Sequence, residues 1–153
     1  MSQNLQSTMA ACGIHVAAAS LSSTREAVRA VKAELGNERF QHLIVFFSIE
    51  HDPVQLVTEF NEAFPEVPIS GCSTAGEFGP LGMMQRGIVI IAFPERGFRV
   101  LSEAIPDATA PALERATQIA RRLKIQASDG HNRGVMGQLF ALMLTDGLSN
   151  KEE

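Results

Sequence analysis

Residues 42–48, His-Leu-Ile-Val-Phe-Phe-Ser, run apolar without the polar alternation of a strand that faces water on one side. Such a run suits a strand covered on both faces, as in an α/β sheet. The flanking segments supply the covering layers. Ala27, Val28, Val31 and Leu35 recur at helical spacing between Ser20-Leu21-Ser22-Ser23-Thr24 and Gly36-Asn37, which predicts an amphipathic helix over residues 24–35. Asp52-Pro53 gives a second helix its N-cap and a proline at the first helical position. Its buried stripe is Leu56, Val57, Phe60, Ala63 and Phe64, and Pro65 and Pro68 close it.

Further strands are expected at 13–19, 67–72 and 87–93, giving the order βαβαββ. Residues 98–105 should return beside 87–93 as an antiparallel neighbour, because Pro94-Glu95-Arg96-Gly97 fits a hairpin and not a parallel crossover. Leu113, Ala116, Ile119, Ala120 and Leu123 mark a third helix opening near Thr109 and Pro111. A polar loop over 128–134 and a last strand over 138–145 follow. The fold class is therefore α/β, with a mixed, mainly parallel sheet flanked by helices. Residues 1–12 read as a flexible leader and 13–153 as one domain. Ser149 and Glu152 form a capping-box pattern with no helix body after it. A cap alone does not offset helix nucleation, so the domain reads as truncated at its C-terminus.

Composition removes several functions. Thirteen Lys and Arg against seventeen Asp and Glu give a net charge of −4, and the basic residues form no cluster, which argues against nucleic acid. The longest apolar stretch, 87–94, is too short to span a bilayer, and no secretory leader is visible, so the chain is expected to be soluble and cytoplasmic. Cys12 and Cys72 make neither a disulfide framework nor a zinc motif.

The segment with the chemistry is Ile69-Ser-Gly-Cys-Ser-Thr-Ala-Gly-Glu77, where an apolar strand gives way to a glycine-rich loop. Gly71 and Gly76 permit positive φ or close approach, and the small residues between them leave backbone N–H groups open to a ligand; a tight corner with nothing bound fits the spacing equally. Ser73 and Thr74 offer hydroxyls, and Glu77 can meet a cationic group. Cys72 could serve a thiol enzyme, with no basic neighbour in sequence to activate it, or be a small buried core residue. Phe78, Met83 and Met84 make the following loop unusually apolar. His51 follows the second strand at its carboxyl end, the ligand side of parallel sheets, where a histidine can hold a haem iron or simply be solvated in a loop. Asp146-Gly147 ends the last strand and can accept a hydrogen bond from a ligand amine, or form an ordinary turn.

In order, the 43–48 strand, the 69–77 segment, the 87–93 strand and Leu144-Thr-Asp-Gly-Leu148 resemble the N-terminal part of the FIST sensory domain, over residues 13–153. The resemblance rests on Gly71, Cys72, Ser73, Thr74, Gly76 and Glu77, with Asp146 and Gly147 at the far end. It implies a non-catalytic, cytoplasmic module that binds small ligands such as amino acids and regulates histidine kinases, cyclic-di-GMP enzymes or chemotaxis receptors. Some members resemble haem proteins that report nitric oxide to a histidine kinase, so haem is the implied cofactor of an alternative reading. The resemblance also implies a second half to the domain, so a pocket built between halves is expected to be incomplete in residues 13–153.

Overall fold

The computed structural model describes residues 5–80, 82–105, 112–129 and 139–144. The chain divides into two compact units, Met1–Val100 and Leu101–Glu153.

The first unit is built on a five-stranded sheet. Its strands and helices are β1 (Leu5–Met9), β2 (His15–Ser20), α1 (Thr24–Leu35), β3 (Phe40–Ser48), α2 (Pro53–Ala63), β4 (Ile69–Thr74), β5 (Glu77–Gly79), β6 (Gly82–Met84) and β7 (Gly87–Pro94). The sheet order is β1-β2-β7-β3-β4, and β5 pairs with β6 in a separate two-stranded sheet. The expected α/β class and mixed sheet are present. The parallel part is a single pair, β3 with β4, bridged by α2, whereas a mainly parallel sheet was expected; the other three pairings are antiparallel. A parallel return needs a crossover of a dozen or more residues, and among the described residues the helical crossover between paired strands is α2. The chain reaches β7 through two three-residue strands instead, and β7 enters between β2 and β3, antiparallel to both.

That central position explains why 98–105 forms no strand: both hydrogen-bonding edges of β7 are taken. Phe98 packs edge-on against Phe93, with ring centroids 5.6 Å apart, and the Val100 N–H donates to Gln41 Oε1 at 2.8 Å. The leader expected over 1–12 contains β1, which has no apolar alternation because it is an edge strand held by backbone pairing to β2. Gly13, at φ 91°, and the bond from Ala10 N–H to the Ile14 carbonyl shape the turn between them.

One face of the sheet is covered by α1 and α2. Alternate residues Ala17, Ala19, Leu43, Val45, Ile88, Ile90 and Ala92 meet Ala27, Val28, Val31 and Leu35 of α1 and Leu56 and Phe60 of α2. Each large aliphatic residue buried in this way contributes about 1.5–3 kcal/mol. The helices start where the sequence predicts: Ser23 Oγ accepts the Glu26 N–H, and Asp52 Oδ1 accepts the Gln55 N–H. Arg25 Nε donates to the buried Glu59 at 2.7 Å and joins α1 to α2; the hydrogen bond and charge of Glu59 raise the guanidinium pKa above its ordinary value. On the opposite face the β5–β6 hairpin seats Met84 on Ala18, Val89 and Val16.

The second unit contains α3 (Ala112–Asp129), the expected third helix. It takes in Ser128, expected in the following loop, whose Oγ donates to the Lys124 carbonyl at 2.9 Å. The expected strand over 138–145 is not found among the described residues 139–144, which pair with no edge; Leu139, Phe140, Leu142, Met143 and Leu144 are exposed. Among the described residues no helix is long and apolar enough to cross a membrane.

Candidate functional site

The glycine-rich segment does not form a single ligand loop. Gly71, Cys72, Ser73 and Thr74 lie within β4, and only Gly76 falls in the turn. Gly71 has no positive φ. Its absent Cβ is what β3 requires, because a Cβ built there would lie 1.9 Å from the Val45 carbonyl oxygen. Gly76 is exposed, with nothing within 4 Å of a Cβ position and no left-handed φ, so neither space nor backbone conformation demands glycine there. Cys72 is half-buried and its thiol has no described hydrogen-bond partner, so the structure adds no activating base to it. Ser73 is exposed. Asp146 and Gly147 lie outside the described residues.

Thr74 and Glu77 do come together. Glu77 is only 3% exposed; one carboxylate oxygen accepts the Thr74 hydroxyl proton at 2.7 Å and the other accepts the Gly87 N–H at 3.1 Å. Gly87 leaves room for this approach, since a Cβ there would stand 3.0 Å from both Cβ and Oε2 of Glu77. His51, also 3% exposed, reaches the same peptide from its other side: Nε2 lies 3.2 Å from the Arg86 carbonyl oxygen, and Nδ1 lies 2.9 Å from Thr24 Oγ1 at the start of α1. A carbonyl only accepts, so the ring proton sits on Nε2, and in the neutral ring Nδ1 accepts from Thr24.

The Arg86–Gly87 peptide is thus gripped at its C=O by His51 and at its N–H by Glu77. Arg86 holds φ at 52°, in the left-handed region that non-glycine residues seldom adopt. Two more side chains hold the same turn. Ser20 Oγ donates to the Gln85 carbonyl, and Arg86 is ion-paired with Glu50. Residues from β2, the β3–α2 connection and β5 therefore converge on the turn that ends the hairpin. Thr24, Ser20, Glu50, Arg86 and Gly87 were not singled out from sequence. Their partners are 10 to 65 residues away, and nothing local signals such a contact.

The same geometry tests haem. With both ring nitrogens engaged and the side chain buried, His51 does not fit an axial ligand as it stands. His42 is 2% exposed, with Nε2 3.1 Å from Ser70 Oγ. His15 is 9% exposed and its Nδ1 has no partner, but the ring is buried at the start of β2. Among the described residues no group of His, Cys, Asp and Glu could hold a metal ion.

His42 gives a pH prediction. Burial lowers its pKa from 6.5, so as pH falls below about 6.5 the unfolded chain takes up a proton that the folded chain refuses. Stability is expected to fall over that window. A His42→Leu variant followed by urea unfolding from pH 7.5 to 5 should show a shallower decline; an identical slope would exclude His42 as its source.

Comparison with known proteins gives one result. A family model, the FIST N domain, matches residues 41–153. No curated protein and no solved structure matches the chain.

Proposed function

The chain belongs to the FIST N domain family, a sensory family implicated in signal transduction, and from that premise we propose that it is a non-catalytic module that binds a small ligand and reports it through the β5–β6 hairpin. The observation that carries this reading is the fourfold grip on the turn at residues 85–87, with Arg86 in the left-handed region. In this reading the segment, held by several polar contacts over a small apolar seat, exchanges with a second arrangement, and a ligand that favours either one shifts the population. The hairpin carries Phe78 and Met83 outward as a cross-strand pair, 72% and 74% exposed, so its movement changes the surface offered to a signalling partner such as a histidine kinase or a cyclic-di-GMP enzyme. In this scheme no bond is broken.

The test is an amide-resolved NMR titration of the full chain with the twenty L-amino acids. Saturable shifts are expected at residues 74–87. Binding that leaves those amides unmoved would remove the hairpin as the responsive element, and no binding by any of the twenty would remove free amino acids as the ligand class.

A further inference from the structure

The second unit holds a groove of about 260 Å³ between α3 and residues 103–105. Its walls are Glu103, Ala104 and Ile105 on one side and Arg115, Gln118, Ile119 and Arg122 on the other. The four α3 residues fall at i, i+3, i+4 and i+7, so they share one helix face. Arg122 is already neutralised: its Nε and Nη2 both donate to the Glu103 carboxylate, which ties that segment to the helix. Arg115 is placed differently. It stands seven residues earlier, about 10 Å along the axis, and among the described residues no carboxylate or carbonyl pairs with it.

Among the described residues the lining therefore carries one unmatched positive charge, from two arginines and one glutamate, beside the Gln118 amide and the apolar surfaces of Ile105 and Ile119. A guanidinium presents a planar fork of donors that matches an oxyanion, and the neighbouring isoleucines favour an apolar body on that anion. The volume lies below the roughly 300–1,000 Å³ of drug-sized pockets and suits a ligand of a few carbon atoms.

We propose that this groove binds a small organic oxyanion, a short branched carboxylate in its simplest form, with Arg115 and Gln118 on the anionic end and Ile105 and Ile119 on the apolar end. This site is separate from the hairpin, and its test stands apart from the sensory reading.

The experiment titrates the full chain with sodium isovalerate and, in parallel, with inorganic phosphate in low-salt buffer, following backbone amides by NMR. Isovalerate is expected to saturate with a dissociation constant on the order of millimolar, moving the amides of Arg115, Gln118 and Ile119. Arg115→Ala should weaken it about tenfold or more, Arg115→Lys less, and Arg96→Ala, in the turn after β7 and not part of the groove lining, not at all. Arg115 is exposed on a helix and alanine favours helices, so the variant retains the fold. Absence of saturable shifts, phosphate binding as tightly as isovalerate, or unchanged affinity in Arg115→Ala would each overturn the proposal.

Discussion

Gly71→Ala is expected to destabilise the first unit by about 3 kcal/mol or more, although the residue is exposed. Exposure alone predicts a substitution within about 0.5 kcal/mol of neutral. The contact argument predicts otherwise, because the added methyl would lie 1.9 Å from the Val45 oxygen and 2.8 Å from the Val45 carbonyl carbon. Both atoms are backbone, so no rotamer change relieves the overlap. Relief requires β4 to move away from β3, and Val45 and Gly71 are direct register partners in the one parallel pair of the sheet. Gly76→Ala is the control. It lies in the same segment with open space around its Cβ position, and its midpoint in urea should match the parent chain. Equal midpoints for the two variants would show that β4 yields at little cost and that Gly71 is not required for close approach.

The contrast between these glycines shows where sequence reading succeeds. The βαβ unit from β3 through α2 to β4 is legible because its signals are local: an unalternating apolar run, a capping Asp-Pro and a helical stripe closed by prolines, although Val57, read into that stripe, is 56% exposed while Leu56, Phe60 and Phe64 are buried. Helix α1 is legible for the same reason, and its observed span, Thr24–Leu35, is the expected one. The hairpin is not legible. Its strands are three residues long, too short for alternation to register, and they are specified by the seat of Met84 on Ala18 and Val89, residues that adjoin only after folding. The place of β7 in the sheet is hidden too, since an apolar run does not say which neighbours will occupy its edges. Within the candidate site, the Gly-Cys-Ser-Thr-Ala-Gly-Glu segment is not one loop: Gly71 to Thr74 lie in β4, and Glu77 begins β5. Glu77 is turned inward onto Gly87, and the histidine read as an iron ligand is its counterpart on the other side of the same peptide.

That shared peptide makes the second large effect a coupled one. Glu77→Ala removes the acceptor from a buried N–H, a loss of about 1–3 kcal/mol, and frees the Thr74 hydroxyl as well. His51→Ala removes the donor from the Arg86 carbonyl and the partner of Thr24, at a similar or larger cost because the buried ring also leaves a cavity. If the two side chains acted on separate structures, the double variant would cost the sum. They hold opposite ends of one peptide plane, so losing either grip lets the plane rotate and weakens the other. The double variant should therefore cost less than the sum by about 1 kcal/mol, within the range seen for residues in one network. Hydrogen exchange gives the local readout: the Gly87 amide should exchange at least about tenfold faster in either single variant, while core amides of β3 change only in step with global stability. Glu77→Gln separates charge from shape, because its amide oxygen can still accept the Gly87 N–H; near-parent protection in that variant would assign the grip to geometry. Additivity within about 0.5 kcal/mol, with Gly87 exchange no faster than the global change requires, would mean that the two side chains are independent anchors and would leave the hairpin without the coupled release that a sensory response through it needs.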